Sequence, residues 1–216
     1  MTTFLMLPLL DFVTASGQVA TIVSAFSSVP TARAIINEHS TGKRPLLPFS
    51  AQLIQGVAWV NYGILTDNFA VVLPNTVSML CATGYTLTFV KYAPRDATWL
   101  PGKAFHHAAF GLAYAMFVLH VVTSWERGAA AAMMGNLGVV FQLVMYAGPL
   151  ASARTVLATG STKSMSLPLA ASTFVNCGLW GAYGTMTGDD RIAFPSFLGV
   201  ITASLQLLLF VRFGPA

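Results

Sequence analysis

Seven apolar stretches of about 20 residues each dominate the chain, near 10–29, 47–66, 70–92, 104–124, 129–150, 167–187 and 192–212. At about 1.5 Å per helical residue, such a stretch spans about 30 Å, the thickness of the hydrocarbon core of a bilayer. Lipid offers no hydrogen bonds, so every backbone N–H and C=O inside it must be paired within the protein, and an unbroken apolar run of this length reads as a helix. Composition agrees: 55% of the 216 residues are hydrophobic and only 8% are charged, against about 25% charged in a soluble domain. The loops left over are short. The expected fold is therefore an all-α membrane protein of seven helices with no added soluble domain. The segment from Met1 to Pro8 has no basic residue ahead of its apolar stretch, which runs past Asp11 into the first helix, so no cleaved signal peptide is expected.

The basic residues set the expected orientation. With the N-terminus outside and the C-terminus cytosolic, Arg33, Lys43, Arg44, Lys91, Arg95, Lys103, Arg154, Lys163 and Arg212 are cytosolic, and only Arg127 and Arg191 are external. That asymmetry obeys the positive-inside rule. The net charge of +4 thus records topology, and it gives no ground for a nucleic-acid partner. Cys81 and Cys177 lie in apolar helices without ligand-type spacing, and His39, His106, His107 and His120 form no pairs across helices. Neither a metal nor a cofactor is expected.

Shifting the chain by 121 residues aligns it with itself without a gap. Ala32-Arg33 falls on Ala153-Arg154, Ser40-Thr41 on Ser161-Thr162, Trp59 on Trp180, Tyr62-Gly63 on Tyr183-Gly184, Thr66 on Thr187 and Pro74 on Pro195. Chance matches between apolar segments involve Leu, Ala and Val, whereas these involve Arg, Trp, Tyr and Pro, so two copies of one unit are present. The expected division is a first three-helix repeat over 1–93, a linker helix over 94–128 and a second three-helix repeat over 129–216. Three spans per unit would invert the second copy. The odd fourth helix restores its direction, making the repeats parallel.

At this point the residues resemble a known family over nearly the whole chain. Val29-Pro30-Thr31 with Ser40-Thr41, Trp59 to Gly63, Leu73-Pro74-Asn75, Met145 to Pro149, Ser161-Thr162, Trp180 to Gly184 and Phe194-Pro195 are similar, in order and spacing, to the SWEET sugar transporters of the PQ-loop group. The resemblance implies a sugar as substrate and the bilayer as surroundings. It also implies a tendency to homo-oligomers, with the plasma membrane as the favoured location and an endomembrane as the alternative.

Several polar and aromatic residues are candidates for the site. Asn75 follows a helix-loosening proline, and its carboxamide can bind a sugar hydroxyl or bond a neighbouring helix; the resemblance puts the family's pocket asparagine there. Its repeat mate is Ser196, where the family usually has a second asparagine, so the polar pair departs from the family pattern. Trp59 and Trp180 offer indole faces on which the C–H faces of a pyranose can stack; packing or interface anchoring is the alternative. In the resembled family the Trp59 position is often smaller, which implies a pocket sized here for a monosaccharide. Gln55 and Asn176, one turn toward the cytosol, would either line the pocket or bond between helices. Tyr62 and Tyr183, with Asp189 beyond, match the family's external gate or serve as belt anchors, and Asp67 and Arg191 are further candidates for ion pairs there. Pro48 and Pro149 match two of the family's four gate prolines. Pro30 and Pro168 lie two residues beyond the other two positions, which Ser28 and Ser166 occupy.

No Asp, Glu, Lys or Arg falls near the midplane of an expected helix, where ion-coupled transporters need them, and there is no phosphate-binding Gly-rich loop. The expectation is a passive, bidirectional sugar uniporter working by alternating access, with glucose as a representative substrate, and not an enzyme. A seven-helix receptor or sensor is the first alternative, opposed by the short loops and the internal repeat. A PQ-loop transporter of another small solute is the second, opposed for amino acids by the lack of membrane carboxylates.

Overall fold

The computed structural model describes residues 2–42, 44, 46–93 and 104–214, and among them the only regular structure is helical. Helices α1 (Thr2–Ala25) and α2 (Val29–Glu38) are joined by a single 3-10 turn, and α6 (Arg127–Met145) and α7 (Ala147–Thr159) by one residue, Tyr146. With α3 (Leu47–Leu65), α4 (Phe69–Tyr92), α5 (Ala104–Ser124), α8 (Leu167–Thr187) and α9 (Asp190–Phe213), the described chain makes seven helical rods. Lys43, Arg95 and Lys103, used above for orientation, lie outside the described residues.

Three sequence boundaries need correction, the first helix beginning at Thr2 and not near 10. The first and fifth helices do not end near 29 and 150 but carry on to Glu38 and Thr159. Pro30 and Pro149 fall in the first turns of α2 and α7, where backbone N–H groups have no intrahelical partner, so the missing donor costs little and each proline restarts a helix.

Five rods are apolar and long enough to cross a membrane: Met6–Glu38, Phe69–Tyr92, Phe105–Ser124, Arg127–Thr159 and Asp190–Phe213. The other two, α3 and α8, have 19 and 21 residues, which is length enough but with less hydropathy. They are repeat mates, and what dilutes them includes Gln55, Asn61 and Asn176, among them the polar site candidates. On α4, Leu73, Leu80 and Leu87 recur every seven residues and are more than half exposed, an outward apolar stripe suited to lipid, while Val71, Pro74, Ser78, Ala82, Tyr85 and Phe89 are buried.

Packing divides the chain into two compact units, Met1–Ser24 with Val139–Ala216, and Ala25–Gly138. This is not the division into repeats, because α1 packs on α8 of the second repeat, and Gly138 of α6 lies under Trp59 of the first. In the second unit α3 lies along α4, around a core of Ile35, Leu46, Phe49, Tyr85 and Phe89. The Tyr85 hydroxyl donates to the carbonyl of Ala25, at the break between α1 and α2, at 3.0 Å. In the first unit α8 lies along α9, with Ala153, Val156 and Leu209 buried together, and Gln206 donates to the Pro149 carbonyl at 3.3 Å. Ile35 and Val156, both about 1% exposed or less, are 121 residues apart.

The turns repeat as faithfully as the sequence. The N–H of Asn68 bonds to the Gly63 carbonyl at 2.8 Å, and that of Asp189 to the Gly184 carbonyl, also at 2.8 Å. These are the 6→1 bonds of Schellman-type helix ends. Thr66 donates back to Tyr62 at 2.8 Å and Thr187 to Tyr183 at 2.9 Å. Among the described residues, the two left-handed non-glycine residues, His39 (φ 52°) and Asp67 (φ 53°), stand opposite Gly160 (φ 66°) and Gly188 (φ 68°). The same backbone is thus built at the same places in both copies, with glycine in one and a strained L residue in the other. At the start of α6, the N–H groups of Gly128 and Ala129 donate to the Glu126 carboxylate and hold its pKa below the ordinary value.

Candidate functional site

Each candidate tryptophan sits one helical turn before a tyrosine and meets it edge-on. Trp59 and Tyr62 have ring centroids 5.6 Å apart at 79°, and Trp180 and Tyr183 have them 5.3 Å apart at 76°. Both tyrosines are buried, as is Trp59, while Trp180 is partly exposed. The i, i+3 spacing on one helix face brings the rings together, and the edge-to-face geometry suits their quadrupoles.

Each indole also lies over a glycine. A Cβ built on Gly138 would come within 2.7 Å of Trp59 Cε2, and one on Gly17 within 3.5 Å of Trp180 Cε2. Gly17 and Gly138 are 121 residues apart, so the glycine under each ring is a repeat feature too. Comparison of glycines at that shift would have revealed it.

Polar contacts distinguish the two copies. The Trp180 indole N–H donates to Thr21 Oγ1 at 2.7 Å, and Thr21 donates to Asn176 Oδ1 at 2.9 Å. Asn176 thus bonds a neighbouring helix, one of the two roles expected for it, and Thr21 gave no sign of itself in the sequence. Thr21 has Gln142 as its mate, and Gln142 does something else: it donates to the Tyr146 hydroxyl at 2.9 Å, which donates to the Pro195 carbonyl at 3.0 Å, with Cys177 Sγ at 3.6 Å. Gly199 leaves room for this cluster, since a Cβ there would meet the Tyr146 hydroxyl and come within 2.5 Å of Cys177 Sγ. Half-buried Gln55 lies in the same unit as Trp59.

Asn75 and Ser196 make the same local bond. Asn75 Nδ2 donates to the Val71 carbonyl at 2.8 Å, and Ser196 Oγ to the Ile192 carbonyl at 2.7 Å, each one turn back on its own helix. Both follow a buried proline, Pro74 or Pro195, that removes a backbone donor and loosens the turn. Asn75 is half-buried, with amide capacity left beyond that bond, whereas Ser196 is 3% exposed and its one hydrogen is used.

The gate candidates are more dispersed. Asp189 caps α9, accepting from the N–H groups of Arg191 at 3.1 Å and Ile192 at 3.3 Å, a stabilising place for a carboxylate. Asp67 pairs with Arg127 at 2.7 Å, and Arg127 also donates to the Leu65 carbonyl at 2.9 Å. Pro48 and Pro168 are exposed in the first turns of α3 and α8, and Pro30 and Pro149 stand just past the breaks in the first and fifth rods. Trp59, Asn75 and Gln55 belong to one packing unit, and Trp180, Asn176 and Ser196 to the other.

Comparison with known proteins adds a family. A family model described as "Sugar efflux transporter for intercellular exchange" matches residues 11–97 and 132–216, segments whose starts lie 121 residues apart. A rat protein named "Sugar transporter SWEET1" is 30% identical over 169 residues, covering 78% of this chain and 75% of that protein. "Bidirectional sugar transporter SWEET11" of Arabidopsis thaliana is 29% identical over 197 residues, 90% of this chain and 68% of that protein. A solved structure of a eukaryotic SWEET transporter matches with a TM-score of 0.84 at 22% identity, over 94% of this chain and 96% of that one, so the fold is shared.

Proposed function

The chain belongs to the family of sugar efflux transporters for intercellular exchange, and from that premise we propose that it carries a monosaccharide such as glucose, passively and in both directions, by alternating access. It is an integral membrane sugar transporter and not an enzyme. The observation that carries the finer reading is the pair of repeat-related Trp–Tyr clusters on α3 and α8, helices that contain no Asp, Glu, Lys or Arg. Aromatic and amide groups on helices without Asp, Glu, Lys or Arg suit a neutral polyol and supply no carboxylate or basic side chain for a coupled proton or cation.

In this reading Trp59 and Trp180 stack on the pyranose, and Asn75, Gln55 and Asn176 supply hydrogen bonds. Ser196 marks the side with less to offer, so recognition is asymmetric. Tyr62, Tyr183 and Asp189 belong to the external gate, and Pro30, Pro48, Pro149 and Pro168 to the cytosolic one. The N-terminus is outside, the plasma membrane is the site of action, and copies associate as homo-oligomers. Affinity need not be high: a millimolar dissociation constant corresponds to about 4 kcal/mol, within reach of one stacked ring and a few hydrogen bonds. Proteoliposome uptake of labelled glucose, fructose and sucrose, side by side with Trp59→Ser, tests the size argument. Glucose should exceed sucrose in the wild type, and the smaller residue should narrow the gap; equal uptake of both sugars by the wild type would overturn it.

A further inference from the structure

Thr21 of α1 stands between two of the proposed binding groups, hydrogen-bonded to both. An indole N–H can only donate, so the Trp180 contact at 2.7 Å makes the Thr21 oxygen an acceptor. The Thr21 hydroxyl hydrogen is in turn donated to Asn176 Oδ1 at 2.9 Å. In the relay Trp180 N–H to Thr21 O–H to Asn176 C=O, the amide faces Thr21 with its oxygen. Neither hydrogen on Asn176 Nδ2 has a protein partner among the described residues. Polarisation along the relay makes those hydrogens better donors.

Resting on the sugar-binding reading above, we infer that Thr21 is a positioning residue that presents the Asn176 amide as a hydrogen-bond donor to a sugar oxygen and pins the Trp180 ring beside it. The repeat mate of Thr21 is Gln142, whose Nε2 donates instead to the Tyr146 hydroxyl.

The test compares wild type, Thr21→Val and Thr21→Ser in glucose-loaded and glucose-free proteoliposomes, with Asn176→Ala and Trp180→Ala beside them. Thr21→Val keeps shape and removes both bonds; it should raise KM about fivefold to tenfold with Vmax nearly unchanged, and Thr21→Ser should restore KM. Among singly deoxygenated and singly fluorinated glucoses, one position should tolerate fluorine, a weak acceptor that cannot donate, but not hydrogen, and Thr21→Val should erase that difference. A second readout is independent of transport. In protein with Trp59, Trp99 and Trp125 replaced by Phe, which leaves Trp180 as the sole indole, the emission of Trp180 should shift on Thr21→Val and return with Thr21→Ser. An unshifted emission, an unchanged KM, or a loss confined to Vmax would overturn the inference. If Asn176→Ala and Trp180→Ala transport normally, the binding-site reading itself fails; if they are impaired while Thr21→Val is not, only the role of Thr21 fails.

Discussion

Replacing Gly138 by alanine should displace Trp59, whereas the same change at its repeat mate Gly17 should be harmless. A methyl at 138 would lie 2.7, 2.9 and 3.1 Å from Cε2, Cδ2 and Cζ2 of the indole. Carbon atoms prefer about 3.5–4.0 Å, so the ring must retreat by about 1 Å. A rigid bicycle that is 6% exposed and held edge-on by Tyr62 cannot do so freely. Overpacking of this kind costs about 1–3 kcal/mol, and the better helix propensity of alanine returns about 1 kcal/mol. The net loss is up to about 2 kcal/mol, which at about 2–4 °C per kcal/mol for a chain of this size lowers Tm by up to about 8 °C. At position 17 the nearest ring atom would be 3.5 Å away, an ordinary contact, so the propensity gain stands and Tm should hold or rise slightly. Thermal unfolding of the detergent-purified protein followed by light scattering reads the stability, and glucose uptake reads the site. Gly138→Ala should lose uptake and Gly17→Ala should keep it. Combining Gly138→Ala with Trp59→Phe should show a coupling of about 1 kcal/mol or more. Equal behaviour of the two alanine variants would refute the packing argument.

Gly184 permits the close approach of α8 and α9: a Cβ there would sit 2.5 Å from the Ala193 nitrogen and 2.9 Å from the Asp189 oxygen. Backbone atoms cannot step aside, so Gly184→Ala should give no monodisperse protein by size exclusion, while Gly178→Ala, with nothing within 4 Å, should purify normally. Asp67→Asn should change Tm little, because its ion pair with Arg127 is more than half exposed on both sides and such pairs contribute about 0–1 kcal/mol. Asn75→Ala removes only a bond within its own helix, so it should fold like wild type yet cut glucose uptake at least about tenfold, equivalent to about 1.4 kcal/mol. A fully active Asn75→Ala would remove that residue from the site.

Much of the scaffold can be read directly from the chain. The shift of 121 residues that aligns Trp59 with Trp180 also aligns Asp67 with Gly188 and His39 with Gly160, and the backbone takes the same left-handed turns at those places. Helix ends are less legible. Hydropathy fades after Pro30 and Pro149, where Arg33, Asn37, Glu38 and Arg154 enter, but helicity continues through α2 and α7, since proline at a helix start does no harm. Packing partners are harder still. Nothing about Thr21 in an apolar run sets it apart from Thr14, which bonds back to its own helix, and only three-dimensional contact joins it to Asn176 and Trp180. The residues at the repeat's divergent positions, Ser196 and Gln142, are visible as mismatches, yet their partners, Ile192 and Tyr146, are not.

The proposed transport is uncoupled from any ion. Its most direct measurement is the entry of labelled glucose into proteoliposomes clamped with valinomycin and nigericin, free of sodium, with unlabelled glucose either absent or loaded inside. The account predicts that label equilibrates with no ion gradient and, where the empty carrier returns more slowly than the loaded one, enters faster when glucose is inside. Strict dependence of uptake on a proton or sodium gradient would contradict it.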